Sequence, residues 1–206
     1  MARPRTDIAP RILVAARRHF RRSGVDGAAL RAIARDAGTS IGMIYYYFPT
    51  KDDLFFAVVE EAYAKILADL EQALLPELPV TDRLHRLFER FAALRDEEIE
   101  VLRLVAQEGL MSSPRFERLV TRFLGGHIPL ILRTLLDGTR EGVLDGSRHP
   151  IVLLLATAGL VGPPQLIRRA VGERFPLPGA PSGKALAHEL VQVLLHGIAP
   201  RVAPSG

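Results

Sequence analysis

Ser40, Tyr45, Tyr46, Tyr47 and Lys51 fall within twelve residues of one another. Together they supply what a phosphate-lined surface asks of a protein: hydroxyls that donate to phosphate oxygens and an ammonium that neutralises them, beside backbone N–H groups at a helix start. Gly42 stands among them and leaves the backbone uncovered, so a groove can approach without meeting a side chain. At about 100° per residue the three tyrosines spread over a wide arc and cannot all pack into a core. Tyr46 and Tyr47 are expected to face the partner, and Ile44 and Phe48 the interior. Arg31 carries two readings, bidentate recognition of guanine or an ordinary exposed arginine.

Positive charge is concentrated in the same region. Residues 1–51 hold 10 Lys and Arg against 3 Asp and Glu, a net of +7, whereas the remainder carries −3. A basic block on a mildly acidic body is the electrostatic footprint of a nucleic-acid-binding module joined to something else. Arg17, Arg18, Arg21 and Arg22 alone would equally fit a solvated helix face. Arg3 and Arg5 read either as an arm reaching phosphate or the minor groove, or as a solubilising tail.

The elements that must hold these residues are short helices. Ile12, Leu13, Ala16 and Phe20 recur at helical spacing and predict a first helix from about Pro10 to Arg22, ended by Ser23-Gly24. Leu30, Ile33, Ala34 and Ala37 give a second, closed by Gly38. Thr39 and Ser40 supply oxygens to cap a third, which runs to Phe48 before Pro49. Thr50 with Asp53 reads as a capping pair for a long fourth helix, to about Leu75. Three short helices joined by tight turns and followed by a long one is helix-turn-helix geometry, with the third helix entering a groove.

The segment Gly38-Thr-Ser-Ile-Gly-Met-Ile-Tyr-Tyr-Tyr-Phe-Pro-Thr-Lys51-Asp-Asp-Leu54 resembles the signature of the TetR family, as do Ile33-Ala34-Arg-Asp-Ala37 and the first-helix pattern from Ile12 to Phe20. The resemblance covers about 45 residues; the rest resembles the family only in length and helicity. It implies DNA contacts from Arg31, Thr39, Ser40, Ile41, Gly42, Met43, Tyr45, Tyr46, Tyr47 and Lys51, with Ile41 and Met43 against thymine methyls. Tyr47 stands where many relatives carry histidine. Ala28 departs from the pattern, standing where relatives usually have a capping, phosphate-binding threonine; Gly27 or Asp26 is then expected to start the second helix.

Beyond Pro79 the pattern stays helical, over about Thr81–Arg95, Asp96–Gly109, Pro114–Gly138, Pro150–Gly172 and Ser182–Ile198, with Pro163-Pro164 kinking or splitting one helix and a loop from Phe175 to Pro181. The fold class expected is all-α: a head at 1–50, a connecting helix at 51–75, and a ligand-binding and dimerisation domain at 76–206. The last two helices offer Leu153, Ala156, Gly159, Leu186, Leu190, Val193 and Leu194 either to a second subunit or to an internal core. By resemblance, Phe88, Phe91, Leu104, Met111, Phe123 and Ile131 would wall an effector pocket, with Gln107, Glu108 and His127 as polar contacts; plain core packing is the competing reading. The partners implied are a near-palindromic double-stranded operator, a second copy of the chain, and a small effector of apolar character.

Other chemistries find little support. There is no cysteine, and 48% of the residues are apolar, enough for a sizeable core. No nucleophile elbow, phosphate loop or dinucleotide motif is present, so no catalytic residue, cofactor or metal is expected. Asp82-x-x-His85 has ligand spacing but lacks converging partners. Ile151–Val161, the longest apolar run, is shorter than a membrane span, and no secretory signal follows the basic start, so a soluble cytoplasmic protein is expected. A DNA-binding protein without an effector, controlled by a partner, is the alternative.

Overall fold

Helix caps set the boundaries in the computed structural model, which describes residues 7–172, 179 and 181–197. The helices are α1 (Ile8–Gly27), α2 (Leu30–Asp36), α3 (Ile41–Tyr47), α4 (Lys51–Ala73), α5 (Val80–Ala92), α6 (Asp96–Leu110), α7 (Pro114–Leu124), α8 (His127–Arg140), α9 (Pro150–Val161), α10 (Pro163–Gly172) and α11 (Gly183–His196). Among the described residues there is no strand, and the fold is all-α. Arg3, Arg5, Ile198 and most of the 175–181 loop lie outside the described residues.

Ser40 caps α3 by accepting the Met43 N–H at 3.3 Å, and Ser182 caps α11 by accepting that of Ala185. At α4 the Thr50 hydroxyl accepts the Asp53 N–H at 3.0 Å while the Asp53 carboxylate accepts the Thr50 N–H at 3.1 Å, the reciprocal box expected from the sequence. Gly24, at φ 67°, breaks α1 as its type suggests, yet one more turn follows to Gly27. The expected single helix from Pro114 to Gly138 is instead α7 and α8, interrupted at Gly125-Gly126. Two adjacent glycines carry the highest backbone entropy cost in a helix, and the chain turns there.

The described chain divides into two compact units. The first comprises residues up to 67 together with 95–122, so α6 and α7 pack with the N-terminal helices. Ile12, Ala16, Phe20, Ile33, Ile44, Leu54, Phe55, Val58, Leu104 and Leu119 fill its core, with Phe20 and Phe55 edge to face at 6.2 Å. The second comprises 68–94 and 123 onward; α5 packs on α8, α9 and α11 around Val80, Leu84, Leu87, Phe88, Leu135, Leu153, Ala187 and Val191.

Arg83 of α5 lies inside this second core, 1% exposed, with its Nη1 donating to Asp137 of α8 at 2.8 Å. That guanidinium holds the Asp137 carboxyl below its ordinary range. α9 and α10 together, Pro150–Val171, are long and apolar enough to cross a membrane by length and composition, longer than Ile151–Val161 suggested, a test that helices of soluble proteins also meet.

Candidate nucleic-acid interface

The turn between α2 and α3 is built from Gly38, at φ 62°, and the Ser40 cap. Because Ile44 is buried at 1% exposure and anchors α3 from beneath, the opposite arc of the helix is left to solvent. Tyr46 is 77% exposed and Tyr45 50%, while Tyr47 is half-buried, its ring edge to face with Tyr46 at 5.2 Å. Gly42 and Ser40 are exposed, and Thr39, Ile41 and Met43 half-buried. Arg31 of α2 is exposed beside them. Phe48, expected in the core, is only half-buried, because α3 ends at Tyr47 and the chain leaves the helix at that residue.

Lys51, expected at phosphate, also serves inside the fold. Its Nζ donates to the Asp26 carbonyl at 2.7 Å and to that of Ala28 at 3.3 Å, closing the elbow between α1 and α2. The second helix does not start at Gly27 or Asp26. Ala28, 4% exposed, and Ala29 are extended, and α2 begins at Leu30 without a side-chain cap. The elbow that lacks the threonine is thus fixed by a lysine from α4 on its carbonyl groups.

A second cation grips the same elbow. Arg115 of α7 donates through Nη1 and Nη2 to the Asp26 carboxylate at 3.0 and 2.9 Å, through Nη1 to Asp52 at 3.1 Å, and through Nε to Glu108 at 2.8 Å. Glu108 is 4% exposed and also accepts the Ser113 hydroxyl at 2.5 Å. The Arg115 hydrogen bond holds the Asp26 carboxyl below its ordinary range, and these acids raise the Arg115 guanidinium.

The arginines of α1 divide. Arg17 and Arg21 pair with Glu100 of α6 at 3.3 and 3.2 Å, whereas Arg18 and Arg22 are exposed; all four, with Asp96, Glu97 and Glu100, line an open groove of about 420 Å³. Part of the positive surplus read from the sequence is therefore neutralised within the first unit. Nothing in the spacing along the chain reveals a pair separated by some 80 residues.

Residues 12–58 match the model of the family described as bacterial regulatory proteins, tetR family. Over that segment, which is under a quarter of the chain, the sequence is similar to the TetR family. Against the HTH-type transcriptional repressor NicS of Pseudomonas putida the chain is 33% identical, over 48% of its own length and 61% of that protein's, so it spans under two thirds of that relative. The structure is similar to that of the transcriptional regulator FadR from Bacillus subtilis in complex with stearoyl-CoA, with a TM-score of 0.76, 18% identity and coverage of 92% of this chain and 99% of that one. It is also similar to the fatty acid degradation regulator FadR from Bacillus halodurans, with a TM-score of 0.71, 19% identity and coverage of 92% and 99%. At these identities the likeness is one of fold.

The residues expected at an effector pocket separate by unit. Leu104, Gln107, Glu108 and Met111 belong to the first, Phe88, Phe91, Phe123, His127 and Ile131 to the second. Phe88 and Ile131 are buried, Phe91 is half-buried, and Phe123 and His127 place their rings 5.1 Å apart. Leu104 is core; Gln107 is exposed, and Met111 is 65% exposed at the end of α6. Glu108 is committed to Ser113 and Arg115. A cavity of about 370 Å³ in the first unit is lined by other residues, among them Phe56, Glu60, Leu119, Arg118 and Arg122.

Of the residues expected at a subunit interface, Ala156 and Gly159 are exposed, Leu186, Leu190, Val193 and Leu194 half-buried, and Leu153 lies in the core of its own unit. The large exposed apolar side chains nearby are Ile151, Val152 and Leu155 of α9 and Ile167 of α10, each more than half exposed. Their exposure could not be read from the sequence, because α9 is apolar on nearly every side and its sequence does not mark which face meets the core. Among the described residues no three potential metal ligands converge; His85 stacks on His188 at 5.2 Å.

Proposed function

We propose that this chain is a homodimeric, sequence-specific DNA-binding repressor that leaves a near-palindromic operator when a small apolar effector binds. In functional terms, residues 1–50 are the DNA-binding head, 51–75 the connecting helix, and 76–206 the effector-binding and dimerisation part. The observation that carries the reading is the outer face of α3. Tyr45 and Tyr46 hold large aromatic surfaces in water, with Arg31 exposed on the neighbouring helix, on a backbone fixed by the Ser40 cap. Aromatic rings left this exposed on a rigid, basic module suit a partner that takes their hydroxyls at phosphates and their edges at bases.

Two further features support the rest. The apolar residues Ile151, Val152, Leu155 and Ile167 suit burial against a second copy, and one head alone would make a small DNA interface. The fold is shared with a FadR that carries stearoyl-CoA, which supports an apolar effector here. No catalysis and no membrane partner belong to this reading.

The test is capture and sequencing of genomic fragments by the purified full chain. Enrichment of fragments sharing one inverted-repeat sequence, with half-sites about 34–36 Å apart, is expected; uniform recovery of fragments would overturn it. Genes beside the recovered sites would name effectors to try.

A further inference from the structure

The cavity between α4 and α7, wholly within the first unit, joins an apolar wall to a surplus of positive charge. Phe56, Ala57, Val59 and Leu119 form the wall, and Arg118, Arg122 and Glu60 supply the polar groups, around about 370 Å³. Sites for small molecules run from about 300 to 1,000 Å³ and are built in this way, from apolar side chains with a few placed polar ones. Two guanidiniums against one carboxylate leave one cation over.

Arg122 and Glu60 show what a guanidinium takes here. Nε and Nη2 of Arg122 donate to the two Glu60 carboxylate oxygens at 3.0 and 2.8 Å, a bidentate clamp. Arg118, one turn earlier on the same face of α7, carries the same fork, but among the described residues no carboxylate pairs with it. Its guanidinium carbon instead stands 3.9 Å from the centroid of the Phe56 ring. Stacking of this kind uses the flat face of the guanidinium and leaves the N–H donors at its edge unspent. Arg118 is exposed, so those donors are open to a ligand entering from solvent.

We propose that this cavity binds a small carboxylate with an apolar body. The carboxylate is taken by the edge of Arg118, and the apolar body lies along Phe56, Ala57, Val59 and Leu119. This deepens the effector reading above by giving the effector a charge and a place, and it rests on that reading only for the consequence on DNA. The link to the head is on the same helix: Arg115, one turn before Arg118, donates to Asp26 of the α1–α2 elbow and to Asp52 of α4. A ligand engaging α7 therefore acts on the helix that grips the head.

Octanoate, octanol and octyl phosphate, titrated calorimetrically into the full-length wild type and two variants, test the site without DNA. Octanoate is expected to bind at one site per chain, and octanol, equal in length but uncharged, at least about tenfold more weakly. Arg118→Gln, at an exposed position, should weaken octanoate by a similar factor with helicity unchanged by circular dichroism. Glu60→Gln should act in the opposite sense and tighten octanoate, because it removes the competing carboxylate and frees Arg122. A site that recognised only the apolar body would answer to neither substitution. No binding of octanoate, equal binding of octanol, or wild-type octanoate affinity in Arg118→Gln would overturn the proposal and leave effector control to other compounds. Octyl phosphate binding more than about tenfold tighter than octanoate would overturn the assignment to a carboxylate. Operator affinity is read separately: its loss on adding octanoate supports the effector reading too, whereas Arg118-dependent binding with operator affinity unchanged supports the site and removes control through it.

Discussion

Arg115→Met tests whether the ion network at the α1–α2 elbow holds the first unit together. The substitution keeps the length and apolar stem of the side chain and deletes the guanidinium. Asp26 and Asp52, with side chains 74% and 45% exposed, lose partners that water screens, which contributes no more than about 1 kcal/mol for each pair. Glu108 decides the magnitude. Its side chain is 5% exposed, and without Arg115 its carboxylate keeps the Ser113 hydroxyl but no counter-charge among the bonds described above. Breaking a fully buried pair costs about 3–5 kcal/mol; with Arg115 itself 13% exposed, about 2–4 kcal/mol is expected. In urea titration followed by circular dichroism, with a slope of about 1–3 kcal/mol/M, the midpoint should fall by about 1–2 M. Adding Glu108→Gln should recover much of the loss, because it removes the stranded charge. An Arg115→Met protein within about 0.5 kcal/mol of wild type, or no recovery in the double variant, would refute the reasoning.

Other outcomes follow from the same contacts. Because Arg115 depresses the folded-state pKa of Asp26, that contribution is present above the ordinary carboxylate range and lost as pH falls through the depressed value; Arg115→Met should therefore have a shallower stability loss below about pH 4. Lys51→Met should lower the melting temperature, since it removes both bonds that the ammonium donates to the Asp26 and Ala28 carbonyls; an unchanged melting temperature would refute that role at the elbow. Leu155→Glu, at a position 66% exposed, should give monomers by light scattering with helicity retained, and an unchanged dimer would move the interface elsewhere.

What could be read in the sequence was local. The Ser40 cap, the Thr50–Asp53 box, the stop at Gly38 and the buried Ile44 depend on neighbours within a few residues, where side-chain oxygen reach and helical spacing decide the outcome. The same holds for the exposed tyrosines, which could not share one face. The pairings that fix the head come from far along the chain: Arg17 and Arg21 with Glu100, and Asp26 with Arg115, 89 residues away. No local pattern records them. An ammonium beside α3 suits a phosphate contact, and its sequence position does not record the two carbonyls, of Asp26 and Ala28, to which it donates. Arg83 was likewise invisible, since its burial depends on Asp137 of α8.

The central claim is that the outer face of α3 binds DNA by sequence. It is tested most directly by fluorescence anisotropy of the full chain on its recovered operator and on a scrambled duplex of equal length, with wild type and Tyr46→Ala in parallel. Wild type should bind the operator at least about a thousandfold more tightly than the scrambled duplex at physiological salt, and Tyr46→Ala, whose removed ring is 77% exposed and supports no core, should weaken operator binding without lowering the melting temperature. Equal affinity for the two duplexes, or an unaffected Tyr46→Ala protein, would contradict the account.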